Sequence, residues 1–161
     1  MLRSRPLLRI GLLVALGAFI IDQLSKNALM YLYDLPAKGK VEILPFFDLV
    51  MVWNRGISYG LFQAESWVGQ AVLIVFSLAV CAVLIRWLMR TDTAIAAWAI
   101  GLVIGGAIGN VLDRLIYGAV ADFVSLHAYG FYWYVFNIAD AAIVVGVMLL
   151  IYDALVERKR A

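Results

Sequence analysis

The stretch VFNIADAAIVVGVMLLIYDAL, residues 135–155, begins with an amide and a carboxylate three residues apart, Asn137 and Asp140, and continues as almost unbroken hydrocarbon. Its length matches the about 20 apolar residues that a membrane-crossing helix needs, so the stretch predicts a transmembrane helix. The carboxylate at its head allows three interpretations. Asp140 is an anion at the positive end of a helix, the partner of a buried cation, or one half of a catalytic pair.

The rest of the chain is similarly apolar. Of its 161 residues, 65% are hydrophobic and only 15% are charged, and the mean hydropathy is +0.95. Soluble domains have about half apolar and about a quarter charged residues, so this composition excludes an ordinary soluble domain. We predict an all-α membrane protein in which residues 1–161 form one domain with four transmembrane helices, at about 7–33, 67–87, 94–117 and 137–155.

Lysine and arginine residues are distributed unevenly between the two ends of the predicted spans. Eight of the thirteen lie at or before the start of the first span, or at or after the end of the second or fourth span: Arg3, Arg5, Arg9, Arg86, Arg90, Arg158, Lys159 and Arg160. Because basic residues are retained on the cytoplasmic side of a membrane, we predict that both termini are cytoplasmic. The net charge of +2 is explained by these flanks and gives no reason to predict nucleic-acid binding.

The two loops predicted to lie on the outer face differ in composition. The first has β-branched and aromatic residues around Pro45, followed by Gly56 and Gly60, and predicts a small β element at about 40–62. The second, at about 118–136, is an aromatic-rich segment, and its aromatic residues with the one before it are Tyr117, Phe123, Tyr129, Phe131, Tyr132, Trp133, Tyr134 and Phe136. We predict that most of these side chains form an interfacial belt.

Charged residues within the predicted spans each cost at least ~2.5 kcal/mol on insertion scales and are therefore functional candidates. Apart from Arg9, Arg86 and Asp153 near the span ends, they are Asp22, Lys26, Asp113, Arg114 and Asp140. Counted from Ala94, helical rise places Asp113 roughly 28 Å along the third span, at the outer edge of a hydrocarbon core about 30 Å thick. Asp122 follows in the outer segment, and Asp140 enters the fourth span from the same side. Three carboxylates from different segments therefore converge at the outer face.

Structural interpretations of these residues stay open on spacing alone. Asn110, Asp113 and Arg114 could satisfy one another and the neighbouring backbone. Asp22 and Lys26 are four residues apart with the acid first, which is the favourable order for an ion pair on one helix face. Periodicity does not decide between such pairs and a catalytic site.

Five short motifs follow one another along the chain: DQLSK (22–26), NRGISYG (54–60), GGAIGNVLDR (105–114), VADF (120–123) and FNIAD (136–140). In these motifs the chain resembles signal peptidase II, the lipoprotein signal peptidase of bacteria, and the resemblance covers all four spans. It implies a membrane-embedded aspartic endopeptidase that removes signal peptides from prolipoproteins, cutting just before a diacylglyceryl-modified cysteine. It also implies a multi-pass protein of the bacterial inner membrane with its active site at the outer, periplasmic face.

Carried over residue by residue, the resemblance implies that Asp122 and Asp140 are the catalytic pair, with Asp113 as the rival of Asp122. Asp122 is preferred because Asp113 has Arg114 beside it and can be held in an orienting role. Further family residues are expected to orient the aspartates or to bind the substrate backbone: Asn54, Gly56, Asn110, Asp113, Arg114, Asn137, Asp22 and Lys26.

Other residues are expected to pack or to be solvated. His127 is the only histidine and Cys81 the only cysteine, so no metal site and no cofactor are predicted. We interpret His127 as a solvated interfacial residue and Cys81 as a small buried one. Three small residues of the third span are predicted to let another helix approach closely: Gly105, Gly106 and Gly109.

The expected partners are a diacylglyceryl-modified prolipoprotein substrate and membrane lipids, without nucleic acid, and the chain is expected to work as a monomer. Two hypotheses from other classes remain. A small proton-coupled membrane transporter would use intramembrane carboxylates, but these should then be spread through the membrane depth. A scaffold without enzymatic activity would give Asp122 and Asp140 no reason to lie near each other.

Overall fold

The structure is a computed structural model that describes residues 4–56, 64 and 66–158. Within these residues the chain forms five α-helices and four β-strands: α1 (Ser4–Asn27), α2 (Leu35–Lys38), β1 (Lys40–Leu44), β2 (Phe47–Asn54), α3 (Trp67–Leu88), α4 (Ala94–Tyr117), β3 (Val120–Ala128), β4 (Phe131–Tyr132) and α5 (Ile138–Arg158). A π-helical turn, Ala28–Leu32, continues α1. Residues 57–62 of the predicted β element, with Arg3, Lys159 and Arg160, lie outside the described residues.

Four of the helices are long and apolar enough to cross a membrane: Pro6–Leu32, Trp67–Leu88, Ala94–Tyr117 and Ile138–Val156. They confirm the four predicted spans to within a few residues at each end. Two of them start at a hydroxyl cap, because Ser66 and Thr93 accept the backbone N–H of Gly69 and Ala96. The cytoplasmic position of both termini stays a prediction.

Helix α4 lies at the centre of the bundle. Its most apolar window is 56% buried inside the protein, against 11% for α3 and for α5, so these two helices turn most of their apolar surface outward, as lipid requires. The core where α1 and α3 meet α4 consists of small and medium-sized residues: Ala15, Cys81, Leu84, Leu88, Ala97, Ile100, Val103 and Ile104. The predicted burial of Cys81 is thus confirmed.

Glycines on α4 let α1 and α5 approach its backbone. A Cβ atom added at Gly105 would overlap the backbone carbonyl oxygen of Ala15 on α1. A Cβ atom added at Gly106 would overlap the carbonyl oxygen of Ala139 on α5. The predicted packing role of these glycines is confirmed, and their spacing sets the positions of both neighbouring helices relative to α4.

The four strands form one antiparallel sheet in the order β1-β2-β3-β4. Strands β1 and β2 are the predicted β element, whereas β3 and β4 were not predicted, because the segment at 118–136 was expected only to be rich in aromatic residues. Strand β3 pairs with β2 so that Asp122 lies opposite Val52 and Val120 lies opposite Asn54. This unpredicted pairing brings Asp122 close to the end of β2.

The aromatic side chains of this segment fall into two groups. Tyr129, Phe131 and Tyr132, around the turn between β3 and β4, are exposed. Phe123 is only 3% exposed and therefore does not belong to such a belt, while the belt formed by most of the other aromatic side chains stays a prediction. Aromatic enrichment is common to strands and to membrane interfaces, and composition therefore could not separate the two.

We expect Gly105→Ala to lower the free energy of unfolding by roughly 1–3 kcal/mol, the usual cost of overpacking. The obstructing atom belongs to the backbone of Ala15 and has no rotamer with which to move away. Unfolding in detergent micelles measures the effect. Gly17→Ala on α1 is the matched control, since a Cβ atom there meets nothing within 4 Å. Equal stabilities of the two variants would contradict the proposed contact.

Candidate active site

The charged and amide residues predicted from the sequence meet where α1 and α4 end and α5 begins, next to β2 and β3. All ten belong to one hydrogen-bonded network: Asp22, Lys26, Asn54, Gly56, Asn110, Asp113, Arg114, Asp122, Asn137 and Asp140. The structure therefore brings together five segments that are up to 118 residues apart in sequence, since Asp22 and Asp140 are members of the same network.

Asp122 is held on β3 by two amides. Its Oδ1 accepts from Nδ2 of Asn137 at 2.7 Å and its Oδ2 accepts from Nδ2 of Asn54 at 3.0 Å. Burial and the charge of Asp140 raise the pKa of Asp122, and the two amide hydrogen bonds lower it. The result is a pKa of about 7. The side chain is 1% exposed. Asp122 can therefore gain or lose a proton near neutral pH.

Asp140 lies in the first turn of α5. Its Oδ1 accepts from Nδ2 of Asn110 at 2.9 Å, and its Oδ2 accepts from the backbone N–H of Asn137 at 3.3 Å. In return, Oδ1 of Asn137 accepts the backbone N–H of Asp140 at 2.9 Å. Asp140 and Asn137 thus cap the start of α5 reciprocally. The hydrogen bond from Asn110 also connects Asp140 to α4.

Asn137 connects the two carboxylates. Its side-chain Nδ2 donates to Asp122, and its backbone N–H donates to Asp140. The same Nδ2 also donates to Oδ1 of Asn110 at 3.1 Å, while Asn110 donates to Asp140. Each carboxylate is therefore fixed by neutral amides, and Asn137 is hydrogen-bonded to both of them.

Lys26 forms a buried ion cluster behind these amides. Its Nζ lies 2.8 Å from Oδ2 of Asp22 and 2.7 Å from Oδ2 of Asp113, and it donates to Oδ1 of Asn110 at 3.2 Å. The lysine and both aspartates are at most 1% exposed. The predicted ion pair between Asp22 and Lys26 is confirmed, and a Cβ atom at Gly109 would overlap the Asp22 carboxylate.

The carboxylates of the ion cluster also bind the backbone beside the candidate catalytic residues. Oδ2 of Asp113 accepts the N–H of Ala121 at 3.1 Å, and Oδ1 of Asp22 accepts the N–H of Ala139 at 3.0 Å. Ala121 precedes Asp122 and Ala139 precedes Asp140. Asp113 thus binds the backbone beside Asp122, and its salt bridge is to Lys26 and not to the adjacent Arg114.

Arg114 binds one backbone carbonyl group just after β2 and one in its own helix. Its Nη2 donates to the carbonyl oxygen of Gly56 at 2.9 Å and its Nη1 to that of Asn110 at 3.4 Å. The guanidinium therefore turns towards the end of β2 and also keeps a local contact with the Asn110 backbone, whereas Asp113 pairs with Lys26. Its Nε is buried and has no hydrogen-bond partner within the described part of the chain.

Gln23 is a site residue that the sequence reasoning missed. Its Nε2 lies 3.1 Å from Oδ2 of Asp22 and 3.1 Å from Oδ1 of Asp113, and donates a hydrogen bond to each. A third contact, at 3.3 Å, reaches the carbonyl oxygen of Gly109. An amide inside an apolar span was a usable signal, because such a group needs a partner in hydrocarbon.

An apolar groove of about 800 Å³ opens beside Asp140. Its walls come from the sheet, the segment before α5 and the first turns of α5: Phe46, Leu126, His127, Ala128, Phe131, Trp133, Tyr134, Phe136, Asp140, Ala141, Val144 and Val145. A carboxylate in an otherwise apolar groove is the arrangement expected of a site that binds an apolar ligand and acts on one polar bond.

A second charged cluster lies on the sheet. Oδ2 of the buried Asp48 is 2.9 Å from Nζ of Lys40 and 3.1 Å from Nε2 of His127. Burial raises the pKa of Asp48, but the hydrogen bonds from Lys40 and His127 outweigh burial and hold the pKa below its usual range. His127 also stacks on Tyr132, with ring centroids 4.7 Å apart. The interpretation of His127 as merely solvated is therefore wrong.

Within residues 4–56, 64 and 66–158, no group of three or more histidine, cysteine, aspartate or glutamate side chains has the arrangement to hold a metal ion. Asp140 lies at the apolar groove, and Asn137 links it to Asp122. Paired carboxylates are one arrangement that supports hydrolysis with water as the nucleophile.

The chain matches the model of a protein family described as signal peptidase (SPase) II over residues 14–156. It is 50% identical over 152 residues to a lipoprotein signal peptidase of Rhodopseudomonas palustris, covering 92% of this chain and 93% of the relative. It is 48% identical over 151 residues to a lipoprotein signal peptidase of Nitrobacter hamburgensis, covering 91% and 92%.

Two solved structures, each described as a bacterial membrane enzyme studied by the in meso method, share the fold. The first, at 2.3 Å resolution, has a TM-score of 0.81 and 24% identity, and the match covers 93% of this chain and 90% of that chain. The second, at 1.9 Å resolution, has a TM-score of 0.73 and 25% identity, covering 90% and 92%. The helices and the sheet therefore form an arrangement already observed in membrane enzymes.

We expect Lys26→Met to lower the free energy of unfolding by about 3–5 kcal/mol, the cost of breaking a buried ion pair from one side. Asp22 and Asp113 would then face each other without a cation. Unfolding in detergent micelles measures the loss. Lys38→Met, at an exposed position of α2, is the matched control and should change stability little. A Lys26→Met protein as stable as wild type would show that the carboxylates do not need the ammonium group.

Proposed function

Because the chain belongs to the signal peptidase II family of membrane aspartic peptidases and removes signal peptides from prolipoproteins, we propose that Asp122 and Asp140 are its catalytic pair. The observation that carries this proposal is the double hydrogen bonding of Asn137, whose side chain binds one carboxylate and whose backbone binds the other. In the described part of the chain, neither aspartate forms a salt bridge, whereas Asp22 and Asp113 share Lys26.

Two neighbouring carboxylates that are largely removed from water share one proton, because ionising both would place like charges together in a medium that solvates them poorly. The pKa of Asp122, raised to about 7 by burial and by the charge of Asp140, supports a pair that carries one proton at neutral pH. The ionised carboxylate then acts as the base, and the protonated one as the acid.

In the proposed reaction, the ionised carboxylate takes a proton from water while the water oxygen bonds to the scissile carbonyl carbon. The protonated carboxyl gives its proton to the carbonyl oxygen, and a tetrahedral intermediate forms. When the C–N bond breaks, the leaving nitrogen takes the proton that came from water, and the other carboxylate recovers a proton from an intermediate hydroxyl. The pair ends with one shared proton, as it began.

The neutral donors around the pair have positioning roles in this proposal. Asn54, Asn110 and Asn137 hold the carboxylates, and their hydrogen bonds are in place before substrate binds. Preorganised donors of this kind need no rearrangement during the reaction. Arg114 anchors Gly56, and its buried Nε is a donor available for a substrate carbonyl oxygen.

The groove beside Asp140 is the proposed binding site for the apolar part of the substrate. We propose that a prolipoprotein lies there with its diacylglyceryl-modified cysteine directed to the lipid, so that cleavage occurs just before that cysteine. The apolar walls of the groove favour such a ligand, since burying hydrocarbon yields roughly 25 cal/mol per Å². Asp140 at the groove then lies next to the bond that is cut.

We propose that the site faces the periplasmic side of the bacterial inner membrane and that both termini are cytoplasmic. The carboxylates and the sheet lie at one end of the helical bundle, whereas Arg86 and Arg90 lie at the opposite end of α3, where retained basic residues mark the cytoplasmic side. We further propose that residues 1–161 form one domain that works as a monomer in contact with membrane lipids. A transporter is not supported, because Asp122 lies on the sheet and not in a span.

We expect Asp122→Asn and Asp140→Asn to lower the rate of prolipoprotein cleavage at least ~1000-fold, since each removes one of two proton-transfer groups. Asp113→Asn should lower the unfolding temperature but leave measurable turnover, because Asp113 holds the backbone of Ala121 and Lys26. The assay uses the purified protein in lipid with a diacylglyceryl-modified prolipoprotein. Full cleavage by Asp140→Asn would contradict the pair, and loss of cleavage in Asp113→Asn alone would replace Asp122 by Asp113.

We expect kcat/KM for cleavage to fall as pH rises above about 7, because kcat/KM reports the free enzyme, in which the pKa of Asp122 is raised to about 7. The sign follows from the chemistry, since the shared proton is present below this pH and is lost above it. The measurement is the pH profile of kcat/KM for the purified protein in lipid. A kcat/KM that stays constant as pH rises through the neutral range would contradict the prediction.

A further inference from the structure

Helix α3 has one buried amide side chain, that of Gln70. It is 6% exposed, and the other buried residues of α3 are Cys81, Leu84 and Leu88. An amide in an apolar surrounding costs free energy unless it is hydrogen-bonded. Its presence in the first turns of a membrane-spanning helix therefore needs an explanation, which neither the catalytic pair nor the Lys26 cluster provides.

Gln70 binds the backbone at two points. Its Nε2 donates to the carbonyl oxygen of Arg55 at 2.7 Å and to that of Ala64 at 2.7 Å. The N–H of Ala64 in turn donates to the carbonyl oxygen of Arg55 at 3.1 Å. One side chain of α3 thus fixes the backbone immediately after β2.

Arg55 is the middle one of three consecutive residues that are held by three different elements. Asn54 donates to Asp122 on β3, Arg55 accepts from Gln70 on α3, and Gly56 accepts from Arg114 on α4. Strand β2 ends at Asn54, so the sheet does not fix the two residues that follow.

The orientation of the Asn54 amide depends on this backbone. Oδ1 of Asn54 accepts the N–H of Gly56 at 3.0 Å, which leaves Nδ2 to donate to Oδ2 of Asp122 at 3.0 Å. A shift of residues 55 and 56 would therefore rotate the amide away from the carboxylate. The contact between Gln70 and Arg55 prevents such a shift from the side of α3.

We infer that Gln70 is a positioning residue for Asp122, acting through Arg55, Gly56 and the side chain of Asn54. The inference rests on the proposed catalytic role of Asp122. It assigns to α3 a contribution to the reaction, although no side chain of α3 belongs to the network around the carboxylates.

Gln70→Met tests the inference, because methionine has a similar length, suits an apolar surrounding and donates no hydrogen bond. The carbonyl oxygen of Arg55 keeps the N–H of Ala64 as a partner, so the fold should be retained. We expect kcat to fall roughly tenfold with KM changed less than about twofold, as for a misplaced catalytic group. We also expect the basic limb of the kcat/KM profile to move up by roughly 0.5 pH unit, because the hydrogen bond from Asn54 lowers the pKa of Asp122.

A double-mutant cycle separates positioning from a purely structural role. Asn54→Ala should shift the limb in the same direction, and adding Gln70→Met to it should cause no further shift, since both act on one hydrogen bond. Ser77→Ala, two turns further along α3, is the matched control and should leave the profile unchanged.

The outcomes distinguish this inference from the proposed function. If the basic limb of Gln70→Met is unshifted, with or without a lower unfolding temperature, the positioning role of Gln70 is overturned. The catalytic pair still stands in that case if Asp140→Asn is inactive. Additive shifts in the double variant also overturn it. Cleavage by Asp140→Asn at the wild-type rate overturns the catalytic pair and the inference together.

Discussion

The buried ammonium group of Lys26 is the constraint on which the site depends. A charge removed from water must be compensated in place, and here Asp22 and Asp113 approach it at 2.8 and 2.7 Å. Each aspartate also accepts a backbone N–H, from Ala139 and Ala121 respectively. Satisfying one lysine therefore draws α1, α4, β3 and the start of α5 together, and it fixes the backbone directly before both Asp122 and Asp140.

The residues that touch Asp122 and Asp140 differ from those around Lys26 in being neutral. An adjacent lysine would stabilise the ionised form of Asp122 and lower its pKa. An amide donor also orients the carboxylate, but it lowers the pKa less because it carries no net charge. The hydrogen bonds from Asn54 and Asn137 do lower this pKa, but burial and the charge of Asp140 outweigh them and raise it to about 7. Lys26 contacts Asn110 and does not contact Asp122 directly, so its charge stabilises the ionised form of Asp122 less, and the proton of Asp122 stays available near neutral pH.

Local patterns in the sequence predict the parts of this site that lie within one element. The spacing of Asp22 and Lys26 predicts their ion pair, and helical rise predicts that Asp113 lies near the end of its span. The pairing of β2 with β3 joins residues about seventy positions apart, and no local pattern encodes that register. For the same reason Lys26 could not be predicted as the partner of Asp113, and the family resemblance had to supply the choice of Asp122.

The contacts of isolated polar residues were likewise beyond prediction. Gln70 and His127 each have an evident need for partners, but their sequence neighbours do not show which ones they bind. The structure provides Arg55 and Ala64 for Gln70, and Asp48 and Tyr132 for His127. In both cases the partner lies on an element whose position is set by the assembled bundle and sheet. A buried polar residue thus predicts that a contact exists, and only the fold shows where.

Strand β3 connects the proposed catalytic pair to the groove that is proposed to bind the substrate. Successive side chains of a strand point to opposite faces, so Asp122 and Leu126, four residues apart, lie on the same face of β3. Leu126 lines the groove, and Asp140 lies on its other wall at the start of α5. A ligand that fills the groove therefore contacts the strand that carries one carboxylate and the helix that carries the other. Both elements are tied to Lys26 through Asp113 and Asp22. The proposed substrate binding and the proposed proton transfer therefore depend on the same contacts, and a displacement of β3 would disturb both.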